Sequence, residues 1–276
     1  MQLEYTLMHG AGNRIVVIDE RSSGREPPGS EQLALLADAH TGVGFDQLMW
    51  LTTPRDAAAR ARYRVFNADG SEVEQCGNGV RCVAWLLSDA AEDEDIALEG
   101  PAGAVTSRVL GPNRVSVDMG APVFEPDSIP FVAESAAICH ELTVNGETLD
   151  VSVVSMGNPH CVLTVEDVNT ADVAALGPAI ELHERFPVRT NVGFMAVPDR
   201  GHVELRVHER GVGETLACGT GACAAVVAAR RRGLVDDDVV VSLPGGELMV
   251  SWRGRDTDPV WLTGQAEILS EGTIDI

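Results

Sequence analysis

The sequence contains no lysine. All 20 basic residues are arginines, and 42 acidic residues outnumber them to give a net charge of −22. Such a negative surface repels phosphate groups, so we predict neither a nucleic-acid partner nor a membrane partner. A pyridoxal phosphate enzyme holds its cofactor through a lysine Schiff base, so the missing lysines exclude that route to amino acid chemistry. Two explanations of the composition stay open: a GC-rich genome, which favours arginine over lysine, and adaptation to high salt.

Long apolar runs are also missing. No stretch of about 18 consecutive apolar residues occurs, which argues against a transmembrane helix. The N-terminal sequence MQLEYTLMHGAGN has neither the basic head nor the apolar region of a secretory signal. We therefore predict a cytoplasmic protein whose thiols are reduced. Its 276 residues, 45% of them hydrophobic, suit one large globular domain or two of ordinary size.

The six cysteines lack the spacing of a zinc site. The closest pairs read Cys-x5-Cys and Cys-x4-Cys, and no Cys-x2-Cys pair occurs. His160 and Cys161 are neighbours in an alternating, strand-like run, so their side chains point to opposite faces. We therefore predict that the protein holds no metal.

A short motif is instead present twice. Cys76 opens the sequence CGNG, and Cys218 opens CGTG at an offset of 142 residues (218 − 76 = 142). The same offset aligns Asn67 with Glu209. In both copies an alternating run precedes the motif, as in a strand, and an apolar stretch follows it, as in a buried helix. The repeat predicts two similar halves, each a strongly curved sheet around one central helix.

The secondary structure predicted from these patterns is of the α+β class. The two central helices are predicted over 79–90 and 221–233, and a shorter helix over 30–40. Short β-rich runs dominate the rest of the chain. Proline and glycine cluster at 118–130, where we place the junction between the halves. The acidic segment 89–100 is predicted to be a solvated connection.

A cysteine at the start of a helix is suited to acid–base chemistry. Unpaired backbone N–H groups and the positive end of the helix dipole lower a thiol pKa, and they also bind carboxylates. Two such motifs around one substrate would supply the acid and the base that invert a stereocentre next to a carboxylate. The N–H groups would stabilise the negative charge that develops as the proton leaves. Cys82 and Cys223 lie inside the apolar stretches, and we interpret both as packing residues.

Six motifs, in order along nearly the whole chain, resemble the diaminopimelate epimerase family. They are MHGAGN (8–13), GVGFDQL (42–48), FNADGSEVEQCGNGVRC (66–82), SMGNPHCV (155–162), HERFPVRTNVGFM (183–195) and ERGVGETLACGTGACAA (209–225). The resemblance implies epimerisation of LL-2,6-diaminopimelate to meso-2,6-diaminopimelate in lysine and peptidoglycan precursor biosynthesis, without cofactor or metal. It also implies two pseudo-symmetric, β-barrel-like domains, 1–119 with a returning strand at 265–276 and 120–264, with the active site between them, in a homodimer.

The resemblance also implies site residues. In the LL to meso direction Cys76 is the proton donor and Cys218 the proton acceptor, and the roles swap in reverse. His160 and Glu209 tune the two thiols. The backbone at both helix starts cradles the reacting carboxylate, and Arg210 suits a bidentate grip on the distal one. The implied substrate-binding residues are Asn13, Gln47, Asn67, Gly77, Asn78, Asn158, Asn191, Glu209, Arg210, Gly219 and Thr220.

The chain departs from the family pattern at two places. Arg14 and Ile15 follow Asn13, where Asp-Phe is usual, and Ala39 precedes His40, where a basic residue is common. Neither change removes a proposed catalytic group. Two alternatives stay open from the residues: a racemase of a monocarboxylic amino acid such as proline, which needs no distal carboxylate site, and a binding protein that keeps the scaffold without catalysis.

Overall fold

The structure, a computed structural model, describes residues 2–73, 76–88 and 94–275. The chain divides into two compact units. Unit 1 comprises Met1–Asp118 and Thr263–Ile276, and unit 2 comprises Met119–Leu262. The domain boundaries that the resemblance implies differ from this division by one residue at 118/119 and by two residues at the return of the chain.

Unit 1 contains a mixed sheet and two helices. Its strands are β1 (Gln2–Gly10), β2 (Asn13–Asp19), β3 (Gln47–Thr52), β4 (Ala61–Asn67), β5 (Glu72–Val73), β6 (Glu94–Gly100), β7 (Gly103–Gly111), β8 (Arg114–Asp118) and β18 (Glu267–Asp275). Its helices are α1 (Ser30–Ala37) and α2 (Gly77–Leu87). The strand order is β18-β1-β2-β3-β4-β6-β7-β8, and the short β5 shares one edge of β4 with β6.

Unit 2 contains a second mixed sheet and two further helices. Its strands are β9 (His140–Val144), β10 (Glu147–Ser155), β11 (Pro159–Thr164), β12 (Asn191–Asp199), β13 (His202–Glu209), β14 (Gly213–Thr215), β15 (Asp238–Leu243) and β16 (Gly246–Ser251). Its helices are α3 (Val173–Glu181) and α4 (Gly219–Arg231), with a short 3-10 turn at Pro126–Ser128. The strand order is β9-β10-β11-β12-β13-β15-β16, and β14 shares one edge of β13 with β15. Strand β17 (Trp261–Gln265) enters unit 1 at Thr263, which donates a hydrogen bond to Ser116 at 2.9 Å.

The two sheets repeat one pattern of pairing. In unit 1 the pairs β2–β3, β3–β4, β4–β6 and β6–β7 are parallel, antiparallel, parallel and antiparallel. In unit 2 the pairs β11–β12, β12–β13, β13–β15 and β15–β16 follow the same series. Each parallel pair needs a crossover, which a helix supplies: α1 and α3 in the first, α2 and α4 in the second. The prediction of an α+β fold with two repeated halves is confirmed.

Helices α2 and α4 are the buried central helices. Residues 77–84 of α2 and 221–229 of α4 are buried, so packing on all sides, more than an amphipathic stripe, stabilises both. Helix α4 ends with two arginines, which suit the negative helix end, and Gly233 then adopts a left-handed φ of +73°. Across the described ranges, no helix combines the length and apolarity needed to cross a membrane.

One prediction of secondary structure is wrong, and one helix was missed. Residues 94–100 of the supposed connection form strand β6, where Ile96 and Leu98 are fully buried, while residues 89–93 lie outside the described residues. Only these two apolar residues alternate in the segment, and the acidic residues before them led to the prediction of a solvated connection. Helix α3 was not predicted, because a Gly-Pro pair interrupts its helical pattern. Asp172 caps its start by accepting the Ala175 N–H at 3.1 Å.

Each crossover helix packs on its sheet through an apolar cluster. In unit 1, Leu33 and Leu36 of α1 pack with Phe66 of β4. In unit 2, Ile180 of α3 packs with Phe194 of β12. Burial of these side chains fixes α1 and α3 against the strands whose ends carry the candidate site.

Candidate active site

Cys76 is the N-cap of helix α2. Its backbone is extended (φ −146°, ψ 97°), and its Sγ accepts a hydrogen bond from the Gly79 N–H at 3.1 Å. The sulfur therefore takes the place of the Ser or Asp oxygen that usually caps a helix. Only 8% of the residue is exposed, so the thiol is largely shielded from bulk water.

Two amide side chains lie beside this thiol. Gln47 begins β3 and Asn67 ends β4, and the antiparallel register pairs them directly. The Cys76 thiol donates to Gln47 Oε1 at 2.6 Å. Gln47 Nε2 in turn donates to Asn67 Oδ1 at 3.0 Å. Because an amide oxygen accepts a hydrogen bond without taking the proton, this arrangement favours the protonated thiol.

Cys218 is the N-cap of helix α4 and has a different partner. The residue is 5% exposed, and its thiol donates to Glu209 Oε2 at 3.2 Å. Thr215 Oγ1 donates to the other carboxylate oxygen of Glu209 at 2.6 Å, which orients the carboxylate. A carboxylate is both an acceptor and a base, so this thiol contacts a group that can take its proton.

Burial raises the pKa of the Cys218 thiol well above its ordinary value, and the negative charge of Glu209 raises it further. The Thr220 hydroxyl and the Gly221 N–H lower it, by less. The prediction that a helix start lowers the thiol pKa is therefore wrong for Cys218, because desolvation of a buried thiolate outweighs the N–H groups.

A series of polar contacts connects Cys218 to His160. Cys218 Sγ lies 3.6 Å from Thr220 Oγ1, to which Asn158 Nδ2 donates at 3.4 Å. His160 Nε2 donates to Asn158 Oδ1 at 2.9 Å. Burial, with the positive charge of Arg210, lowers the pKa of His160 to about 3, so the ring is neutral. Its Nδ1 is then an acceptor, and this buried atom has no hydrogen-bond partner among the residues that the structure describes.

Asn191 fixes the backbone at Arg210. Asn191 begins β12 opposite His160 of β11. Its Nδ2 donates to Pro159 O at 2.9 Å, and its Oδ1 accepts the Arg210 N–H at 3.0 Å. Arg210 is exposed, and one guanidinium nitrogen reaches Val188 O at 3.3 Å. The planar guanidinium retains further N–H donors that suit a carboxylate.

The predicted carboxylate cradles are the first residues of the two central helices. Gly77 and Asn78 begin α2, and Gly219 and Thr220 begin α4. N–H groups in a first helical turn have no partner within the helix, which leaves them for an anion. The Asn78 side-chain oxygen accepts from Arg81 Nη2 at 2.8 Å, which holds this side chain beside the helix start.

Asn13 lies at the same end of the unit 1 sheet as Gln47, because both begin strands of the parallel pair β2–β3. It follows a tight turn in which Ala11 and Gly12 have φ of +49° and +89°. His9 Nε2 accepts the Gly12 N–H at 3.1 Å and holds this turn. No hydrogen bond between the described residues connects the Asn13 side chain to the Cys76 network.

The second glycine of each motif lies against its sulfur. A Cβ on Gly79 would collide with Met49 Sδ and would lie 3.2 Å from Cys76 Sγ. A Cβ on Gly221 would lie 3.3 Å from Cys218 Sγ. The Cys-Gly-x-Gly pattern is therefore a packing requirement of each thiol site as well as a turn signal.

The structure thus gathers ten of the predicted residues into two clusters, one in each unit. Unit 1 groups Cys76, Gln47 and Asn67, and unit 2 groups Cys218, Glu209, Thr220, Asn158, His160, Asn191 and Arg210. Two contributors were missed: Thr215, which only its position three residues before Cys218 could suggest, and Glu181, which lies in the unpredicted helix α3. Within the described part of the chain, no three metal-ligating side chains group to hold an ion.

Comparison with known proteins gives a family match. The sequence profile described as diaminopimelate epimerase matches residues 5–125 and 152–269. A curated diaminopimelate epimerase from Thioalkalivibrio sulfidiphilus (strain HL-EbGR7) is 51% identical over 282 residues, and one from Laribacter hongkongensis (strain HLHK9) is 51% identical over 281 residues. Both alignments cover 100% of this chain and 100% of the relative.

Solved structures share the fold at much lower identity. A hydroxyproline epimerase from Agrobacterium vitis, with bound trans-4-hydroxy-L-proline, aligns with a TM-score of 0.71 and 16% identity. The alignment covers 99% of this chain and 92% of that chain. At this identity the likeness concerns the architecture alone.

Proposed function

This chain belongs to the diaminopimelate epimerase family, and on that premise we propose that Cys76 and Cys218 act on one substrate carbon as acid and base. The reaction is the epimerisation of LL-2,6-diaminopimelate to meso-2,6-diaminopimelate, a step of lysine and peptidoglycan precursor biosynthesis. The absence of lysine supports a reaction that does not use pyridoxal phosphate.

The assignment of proton donor and proton acceptor rests on the different hydrogen-bond partners of the two thiols. Glu209, 3.2 Å from Cys218, can take the thiol proton and leave a thiolate that abstracts the α-proton. Gln47, 2.6 Å from Cys76, cannot take a proton, so Cys76 arrives at the reaction as an acid. The contrast supports Cys218 as acceptor and Cys76 as donor in the LL to meso direction. After one turnover the protonation states are exchanged, which suits the reverse reaction.

The helix starts supply the electrostatic part of the proposal. We assign the reacting carboxylate to the N–H groups at Gly77 and Asn78 and at Gly219 and Thr220. As the α-proton leaves, negative charge moves onto this carboxylate, and fixed N–H donors stabilise that charge most. Arg210 binds the distal carboxylate, which a monocarboxylic substrate such as proline lacks.

His160 is assigned a tuning role. Its neutral ring offers a buried Nδ1 acceptor, which suits hydrogen bonding to a thiol or to the substrate ammonium group. A cytoplasmic location stays a prediction from the sequence pattern, and a homodimer stays a prediction from the resemblance. Light scattering of the purified protein tests the second.

Incubation in D2O tests the two-thiol reaction. LL-diaminopimelate is incubated with the protein, and product and residual substrate are analysed by mass spectrometry at low conversion. If one thiol removes protium and the other, already exchanged with solvent, delivers deuterium, early product carries deuterium at the inverted carbon while residual substrate keeps protium. Product that retains substantial protium would contradict two bases.

Three variants and a second substrate complete the test. Cys76→Ala and Cys218→Ala should each abolish inversion, whereas Cys139→Ala, at a half-buried thiol outside both clusters, should not. L-Proline should not be racemised. Racemisation of proline with equal efficiency would favour the monocarboxylic alternative, and binding of diaminopimelate without turnover would favour a non-catalytic binding protein.

A further inference from the structure

Strand β13 ends with two residues that serve opposite faces of the sheet. Glu209 contacts Cys218, and because strand side chains alternate, His208 points the other way, towards helix α3. There His208 Nε2 donates to Glu181 Oε2 at 2.8 Å, and both residues are 7% exposed. Gly177 makes room for the ring, since a Cβ there would lie 2.7 Å from His208 Cγ. A buried polar pair thus lies directly behind the thiol site.

Glu181 binds the chain on both sides of Glu209 and Arg210. One carboxylate oxygen accepts from His208, and the other accepts the Gly211 N–H at 2.9 Å. Three successive N–H groups of this turn, at 210, 211 and 212, are bound. Their acceptors are Asn191 Oδ1 at 3.0 Å, Glu181 Oε1 at 2.9 Å and Glu209 O at 3.1 Å. The backbone that carries the thiol's base and the guanidinium is therefore held by side chains from two other elements.

The position of Glu181 is unfavourable for helix α3. A carboxylate at the last helical residue opposes the negative end of the helix dipole, and α3 has no basic residue in its last turn. Arg189 Nη1 lies 3.6 Å from Glu181 Oε1, and the arginine side chain is 56% exposed, so this ion pair compensates little. A buried carboxylate at this place destabilises the fold unless its hydrogen bonds to His208 and Gly211 are made.

Unit 1 fills the equivalent position with an apolar residue. The offset of 142 aligns His208 with Phe66 (208 − 142 = 66), which is buried in the same apolar cluster as Leu36 of α1. The turn itself recurs there, since the Gly70 N–H donates to Asn67 O at 2.9 Å, as the N–H at 212 donates to the carbonyl at 209. Packing at this place therefore does not require a polar pair.

We propose that Glu181 and His208 are positioning residues, which hold the segment 209–211 so that the Glu209 carboxylate stays against Cys218 and the Arg210 guanidinium stays available to substrate. The consequence for turnover rests on the proposed function, whereas the consequence for the Cys218 thiol does not. Glu181→Gln tests both, because the amide keeps the size of the side chain but loses one of its two acceptor oxygens.

The expected result has two parts. Turnover of LL-diaminopimelate should fall about 10- to 100-fold in kcat/KM, as expected when a catalytic group is slightly misplaced. The rate of Cys218 alkylation by iodoacetamide, followed by peptide mass mapping, should show a pH profile displaced to lower pH. The charge of Glu209 raises the pKa of the Cys218 thiol. If the Glu209 carboxylate moves away from the thiol in the variant, this pKa falls, and the alkylation profile moves to lower pH. The profile of Cys76 in unit 1 serves as the internal reference and should not move.

Control variants separate positioning from general destabilisation. Glu214→Gln removes an exposed carboxylate of neighbouring β14 that binds Arg206, and it should leave kcat/KM and the Cys218 profile unchanged. His208→Gln keeps an N–H donor close to the Nε2 position and should retain activity, whereas His208→Leu should behave as Glu181→Gln does. In a Glu209→Gln background, Glu181→Gln should not shift the Cys218 profile further.

The outcomes are distinguishable. If Glu181→Gln and His208→Leu lower only the thermal midpoint, with kcat/KM and the Cys218 profile at control level, the pair is merely structural and the proposal is overturned. If Glu181→Gln does not fold, the two His208 variants test the proposal instead. Loss of activity and a shifted Cys218 profile in His208→Leu but not in His208→Gln would support it, and equal behaviour of the two would overturn it. If the wild-type protein does not epimerise diaminopimelate but Glu181→Gln shifts the Cys218 profile, the positioning role is supported and the proposed function is refuted. If the wild-type protein epimerises diaminopimelate and the Cys218 profile does not move in Glu181→Gln, the proposed function is supported and the positioning role is refuted.

Discussion

The thiol of Cys218 and the carboxylate of Glu209 are in direct contact, with 3.2 Å between Sγ and Oε2. The contact has two effects that oppose each other. The charge of Glu209 raises the pKa of the thiol, in the same direction as burial, yet the carboxylate is also the nearest group that can take the proton. In the proposed mechanism the thiolate therefore forms by proton transfer to Glu209 and not by release to solvent.

Glu209→Gln should separate these two effects. Epimerase turnover should fall by about 100-fold or more, because the variant has no base beside Cys218. Alkylation of Cys218 at a fixed pH should nevertheless become faster, because the pKa of the thiol falls when the charge is removed. Steady-state kinetics measure the epimerase turnover, and peptide mass mapping measures the rate of Cys218 alkylation. Slower turnover together with slower alkylation would indicate a misfolded site and contradict this account.

Arg210→Lys should damage catalysis although the charge is kept. A lysine ammonium cannot reproduce the planar, bidentate contact of a guanidinium with a carboxylate, so the α-carbon loses its orientation. We expect kcat/KM for diaminopimelate to fall by about 10- to 100-fold. Arg200→Lys, at an exposed arginine that pairs with Asp236, is the matched control. Wild-type kinetics in both variants would mean that Arg210 does not bind substrate.

The buried His160 should make the fold sensitive to acid. Its folded-state pKa of about 3 lies below the ordinary value of about 6.5, so the unfolded chain binds more protons. The stability that the neutral ring contributes is present above about pH 6.5 and is lost as the pH falls towards 3. Between pH 7 and pH 5 the loss should be about 2 kcal/mol in the free energy of unfolding.

Urea unfolding at pH 7 and pH 5 measures this loss. His160→Gln should show a smaller difference between the two pH values than the wild type, whatever its stability at pH 7. His40→Gln, at an exposed histidine, should keep the wild-type difference. Equal differences in all three proteins would refute the assignment to His160. The pKa of His140 is lowered as well, by burial and by Arg185, and its contribution is common to all three.

Gly79→Ala should be more harmful than Gly221→Ala. The new methyl group at 79 would collide with Met49 inside the unit 1 core, whereas at 221 its nearest neighbour is a Val207 methyl group at 3.1 Å. Overpacking of this kind destabilises by about 1–3 kcal/mol. By calorimetry, the thermal midpoint of Gly79→Ala should be lower than that of Gly221→Ala. Gly201→Ala is the control and should melt close to wild type, because a Cβ at 201 would have only an Asp199 oxygen within 4 Å. The reverse ranking would contradict the packing described here.

The net charge of −22 should make stability depend on salt. Repulsion between surface carboxylates destabilises the compact state at low ionic strength, and screening relieves it. The surface ion pairs, such as Arg200–Asp236, oppose this trend only weakly, because exposed pairs contribute little. Thermal midpoints should therefore rise from low to molar salt. An unchanged midpoint would leave genome composition as the explanation of the missing lysines.

The sequence predicted the parts of the site that depend on local pattern. The repeated Cys-Gly-x-Gly between an alternating run and an apolar run indicated two helix starts at the ends of strands, and both thiols lie there. The offset of 142 predicted the repeat of the two sheets, including the equivalence of Asn67 and Glu209 at the ends of β4 and β13. These inferences succeed because helix and strand periods, and the need for glycine beside a sulfur, are properties of neighbouring residues.

Tertiary structure alone decided the electrostatics. The direction of the Cys218 pKa depends on how completely the thiol is desolvated and on where a carboxylate nine residues earlier in the chain lies, and neither follows from a local pattern. The same holds for Glu181, whose helix is interrupted in sequence by Gly-Pro and whose partners, His208 and Gly211, follow 27 and 30 residues later. Packing brings such groups together, and the low dielectric inside the fold then makes their contacts strong enough to set protonation and position.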